Sequence, residues 1–145
     1  MQPWRAYRNH LTRDRAATSA VEFALVAPLF ILMMLGMLGY GIYFGAAHSI
    51  QQLTADAART AVAGLDETER RSLAQTFIER NADGYAFIDP GKLTVDVHDS
   101  AADGSQFVVG VSYDTRDLPI WNLFSGLTMP RTTISRASTI RIGGL

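Results

Sequence analysis

The apolar positions of this chain follow three patterns in turn. From Phe23 to Ala47 no residue is charged, and apolar side chains recur on every side of a helical wheel. At 1.5 Å per residue these roughly 25 residues are enough to cross a hydrocarbon core of about 30 Å. After Ala47 the pattern becomes one-sided. His48, Ile50, Leu53, Ala57, Ala58 and Val62 recur at spacings of three and four, broken by Gln51, Gln52, Asp56 and Arg59. That period predicts an amphipathic continuation of the same helix. Thr18 to Val62 then forms one rod of roughly 65 Å, lipid-facing first and packed on a domain afterwards. Pro28 lies inside it and is expected to bend it, which spanning helices tolerate.

Gly64 is placed to end the rod as a left-handed cap. Asp66 followed by Glu69 reads as an N-cap with a box-like partner, with Leu65 as a staple residue. Leu73, Ala74, Phe77 and Ile78 follow at helical spacing and Asp83-Gly84 closes the segment, so a second, surface helix is predicted over Asp66 to Ala82. Beyond Pro90-Gly91 the period falls to two. Leu93, Val95 and Val97 alternate with Thr94, Asp96 and His98. Phe107, Val109, Val111 and Tyr113 alternate likewise, with Asp103-Gly104 as the turn between the runs. Residues 116 to 130 form an irregular apolar connection, and Thr132 to Ile142 reads as a third strand. The expected fold is α+β: a long N-terminal transmembrane and amphipathic helix, then a small domain of one helix and about three antiparallel strands. The expected divisions are a basic leader (1–17), the helix (18–63) and the small domain (64–145).

Charge adds an orientation. The 145 residues carry a net −1, but residues 1 to 20 hold Arg5, Arg8, Arg13 and Arg15 against Asp14 alone. The leader is therefore net positive and the remainder net acidic. Positive charge beside the first span predicts a cytoplasmic N-terminus and an extracytoplasmic C-terminal domain on a single-pass inner-membrane protein. The acidic remainder argues against nucleic-acid binding. The apolar run exceeds the roughly 7–15 residues of a signal-peptide core, and Gly45-Ala46-Ala47 matches a cleavage site only loosely, so the segment reads as an uncleaved span. With no cysteine in the chain, disulfides, thiolate metal sites and a Cys nucleophile are all ruled out.

Little in the chain suggests enzymatic chemistry. Asp96 and His98 would share one face of a strand, a two-ligand fragment without further ligands at matching spacing, and a solvated strand face is the simpler reading. No Gly-rich phosphate loop or nucleophile elbow is present. Trp121 and Phe124 read as core filling, with a docking patch as the alternative. No cofactor, metal or small-molecule substrate is expected. Two features of the long helix do stand out. Glu22 opens the apolar run, where an ionisable group usually has a functional partner; its plainer reading is an interfacial carboxylate near Arg15. Gly36, Gly39, Gly41 and Gly45 thin the helix surface, either to admit another helix closely or as glycines tolerated in lipid.

The run Arg13-Asp14-Arg15-Ala16-Ala17-Thr18-Ser19-Ala20-Val21-Glu22-Phe23-Ala24-Leu25-Val26-Ala27-Pro28 resembles the start of TadE-like proteins, pseudopilins of the Tad (tight adherence) type IV pilus system. Leu53-Thr54-Ala55-Asp56-Ala57-Ala58-Arg59-Thr60-Ala61 is similar to the family's alanine-rich helix after the membrane. The resemblance implies processing by a prepilin peptidase between Ala17 and Thr18, with Glu22 and Phe23 as the assembly and recognition pair. It also implies other pilins or pseudopilins as partners, in a pilus used for adhesion. Cleavage there would create a Thr18 α-amino group, cationic at neutral pH, that a neighbouring subunit's Glu22 neutralises. The chain departs from the pattern twice: Ala17 stands where the family usually has Gly, and Gly39 stands at an often acidic position. The alternative function is an unprocessed single-pass anchor whose outward domain binds a partner of the pilus or secretion machinery.

Overall fold

The computed structural model describes residues 15–121 and 130–142. The leader up to residue 14 and Phe124 lie outside the described residues. Two compact units are present, residues 1–38 and 39–145. The described part of the first is a single helical segment, the N-terminal half of helix α1 (Arg15–Ala61), with Pro28 inside it. The helix is long because nothing in its sequence stops it. Arg59 in the last turn complements the negative end of the helix dipole.

The second unit is α+β. Its elements are the C-terminal half of α1, helix α2 (Glu67–Asn81), and strands β1 (Leu93–Asp99), β2 (Gln106–Asp114) and β3 (Thr133–Arg141). Short 3-10 turns occupy Ala82–Gly84 and Pro90–Lys92. The sheet runs β1-β2-β3, antiparallel throughout. Leu93 lies opposite Tyr113, and Gln106 opposite Arg141. The centre strand carries the cleanest alternation: Phe107, Val109, Val111 and Tyr113 are all buried. Ile50, Leu53, Ala57, Ala58 and Ala61 of α1 join them in one core, with Ala74 and Ile78 of α2. The alanines keep the α1 surface flat where it packs.

The three strands and two helices fall close to the expected positions, but several local expectations are corrected. Gly64 does not adopt a left-handed conformation. It is small because α2 crosses it: a Cβ there would lie 2.6 Å from the backbone nitrogen of Arg70. Leu65 is 91% exposed and so staples nothing. Asp66 does cap α2, its side chain accepting from the Glu69 amide, but the Glu69 carboxylate accepts from the Leu65 amide and not from Asp66. His48 and Val62 face outward, and the buried stripe is instead completed by Ser49 and Thr54. Thr54 tolerates burial because its hydroxyl donates to the Ile50 carbonyl at 2.6 Å, one turn back. Trp121 is partly buried against the core, and its indole N–H donates to the Thr115 carbonyl.

Candidate membrane anchor and assembly segment

The residues expected to carry function lie on the N-terminal half of α1. Its apolar side chains are exposed rather than packed: Val21, Phe23, Leu25, Val26, Leu29, Phe30, and so on to Met37 and Leu38. The most apolar stretch of this helix is nowhere buried. A core helix of equal hydropathy would be covered by its own protein. Exposure of this much apolar surface requires an apolar solvent or a partner. This is one helix long and apolar enough to cross a membrane, near the N-terminus, as an anchor requires.

Within that segment Thr18 and Glu22 stand four residues apart, which places them on the same helix face one turn from each other. Both are exposed, and Phe23 beside them is 73% exposed. The Ala17 backbone is helical and continuous with Thr18. Of the glycines, Gly36 and Gly41 face open space, since a Cβ at either would meet nothing within 4 Å. Gly39 is buried.

The second unit holds polar pairs that sequence reasoning missed. Arg70 is buried, with its side chain 5% exposed, and one guanidinium nitrogen donates to both Asp99 carboxylate oxygens at 2.8 Å. A second nitrogen donates to the Gly64 carbonyl at 3.3 Å, and the guanidinium lies 5.4 Å from the centre of the Phe107 ring. Arg70 thus joins the end of α1, the start of α2 and the end of β1. The available signal was its spacing: residues 70, 74 and 78 form one stripe, and that stripe is the buried face of α2. Arg71 next to it donates to the edge-strand carbonyl of Val97 at 2.9 Å. The Tyr85 hydroxyl donates to Asp56 at 2.8 Å, tying the segment after α2 to α1. Burial, with that hydrogen bond and the Asp56 charge behind it, pushes the Tyr85 phenol up to about 12. On the surface, hydrogen bonds from Arg116 hold the Asp114 carboxyl down at about 2.

Asp96 and His98 do share the exposed face of β1, 3.1 Å apart. Among the described residues no three His, Cys, Asp or Glu side chains cluster as a metal site would require. An open groove of about 580 Å³ runs between α2 and the β1 edge, lined by Gln75, Ile78, Glu79, Pro90, Leu93 and Val95. It gathers no set of convergent catalytic groups.

A family model described as TadE-like protein matches residues 17–59, under a third of the chain. No curated protein and no solved structure matches significantly. The match begins at Ala17 and covers the exposed apolar half of α1 together with most of its core-facing half. Residues 17–59 are therefore similar to TadE-like proteins along one long apolar helix, which is consistent with a membrane-associated, pseudopilin-like protein.

Proposed function

We propose that the chain is a TadE-like pseudopilin or minor pilin that acts in assembly of a Tad pilus for adhesion. It is held in the inner membrane by the first half of α1, with its leader cytoplasmic and its α+β unit on the extracytoplasmic side. A prepilin peptidase cuts between Ala17 and Thr18. The mature helix then leaves lipid for a bundle of like helices, in which a neighbour's Glu22 neutralises the new Thr18 amine and the Gly36 and Gly41 surface admits the next helix. The observation carrying this reading is that the family match falls on a helix whose apolar half is uncovered.

The test is mass spectrometry of the membrane-extracted protein from cells with and without the peptidase. Loss of residues 1 to 17 only when the peptidase is present is the expected result. An intact leader in both strains would refute processing. One observation favours a second reading: Ala17 stands where Gly is usual before the cut, which suits an unprocessed anchor whose outward unit binds a partner of the pilus machinery.

A further inference from the structure

The loop Tyr85-Ala86-Phe87-Ile88 contains the one non-glycine residue with positive φ among the described residues, Phe87, at 62°. L-residues with a side chain rarely adopt that conformation, and an aromatic one is unusual there. The ring is nevertheless 52% exposed, so hydrophobic burial within the chain does not account for it. It rests on Gly45 of α1, where a Cβ would come within 2.8 Å of the ring edge. Gly45 lies near the outer end of the uncharged run Phe23 to Ala47.

Three aromatic residues of α1 flank this level. Tyr40 and Phe44 have ring centres 6.1 Å apart, and Tyr43 and Phe44 6.0 Å. Phe44 is the last exposed large apolar side chain of the helix. Phe87 therefore adds a ring from a distant part of the chain to the place where exposed apolar surface ends. Tyrosine concentrates at such a boundary, where a bilayer turns from acyl chains to headgroups, and a phenylalanine ring there buries its apolar surface among the acyl chains. Asp83 and Asp89 bracket the loop in sequence, and both are exposed. They oppose attraction to anionic headgroups and limit the loop to shallow insertion.

We propose that Phe87 is a second membrane contact: a foot by which the α+β unit rests on the lipid interface, seated on Gly45 and needing no anionic lipid. The proposal rests on the reading of α1 as a membrane span. It gives the positive φ a role, since the ring in that conformation is seated on Gly45, at the level where the exposed apolar surface of α1 ends.

The absence of native cysteine makes the test direct. The full chain carrying a single nitroxide at Ala86→Cys is reconstituted in phosphatidylcholine nanodiscs, with Phe30→Cys as the span reference and Leu65→Cys as the aqueous reference. Accessibility to oxygen and to a water-soluble nickel chelate is then measured by electron paramagnetic resonance. The label at 86 should favour oxygen, as at 30 and opposite to 65. Adding Phe87→Ser should reverse that preference, and Phe87→Leu should retain it, with far-UV circular dichroism unchanged in both. An aqueous signal at 86 alongside a lipid signal at 30 would overturn the foot and leave the span intact. An aqueous signal at 30 would overturn the span reading, and the foot with it.

Discussion

Replacing Asp99 by Ala strands the Arg70 guanidinium. The two partners are unequally buried, the Arg70 side chain 5% exposed and the Asp99 side chain 35%, so the two halves of the pair should respond differently to removal. In Asp99→Ala the cation keeps one 3.3 Å bond to the Gly64 carbonyl and the face of Phe107, but loses its counter-charge. Removing one partner of a buried pair costs about 3–5 kcal/mol. Water reaches the half-exposed Asp99 position, which places this case near the lower end, about 3 kcal/mol. Arg70→Met removes the buried charge itself and refills its path with an apolar chain, while Asp99 turns to solvent. Such replacements are often close to neutral, here within about 1 kcal/mol. The double variant should behave like Arg70→Met alone. The assay is urea unfolding of the full chain in detergent micelles, followed by near-UV circular dichroism. With a slope of roughly 1.5 kcal/mol/M, Asp99→Ala should lower the midpoint by about 2 M and Arg70→Met by under 1 M. Equal losses for the two single variants would refute the argument, because Arg70 would then act through packing and not through its charge.

Gly64→Ala places a methyl group against the α2 backbone at Arg70 and should cost about 1–3 kcal/mol in the same urea assay, whereas Gly41→Ala, inside α1 with open space around it, should not lower the midpoint. Tyr85→Phe removes a hydrogen bond to a carboxylate and should cost about 1–2 kcal/mol. Because the folded phenol titrates near 12, above its ordinary value of 10.0, its contribution is full below pH 10 and lost as pH rises toward 12; wild type should lose more stability than Tyr85→Phe across that window. Asp114 has the opposite sign: its folded value is about 2 against 3.8, so its contribution holds above about pH 4 and fades as pH falls toward 2, a loss that Asp114→Asn should not show. Glu22→Gln should leave the protein inserted and folded but abolish its crosslinking to other pilins in cells; wild-type crosslinking would remove Glu22 from assembly. Reporter fusions after Leu145 should be active only on the extracytoplasmic side, and a cytoplasmic signal would reverse the proposed orientation.

Sequence alone determined the elements whose cause is local. An uncharged apolar run of about 25 residues sets the length of the exposed helical segment, because each residue adds about 1.5 Å. Alternation from Phe107 to Tyr113 set the inward face of the centre strand, and Asp66 announced the start of α2 by capping its Glu69 amide. What only the tertiary structure decided are the places where a distant segment changes a residue's meaning. Arg70 shows no partner in its local sequence, and Asp99, 29 residues away, supplies its counter-ion. Gly64 looked like a conformational glycine until α2 crossed over it, and Leu65 a staple until it proved to face solvent. Phe87 carried no periodic signal at all, and its position against Gly45 exists only once the loop folds back on α1. Periodicity reports which face of an element is apolar. It is silent about the partner that a buried charge or a close-packed glycine meets, because that partner comes from another part of the chain.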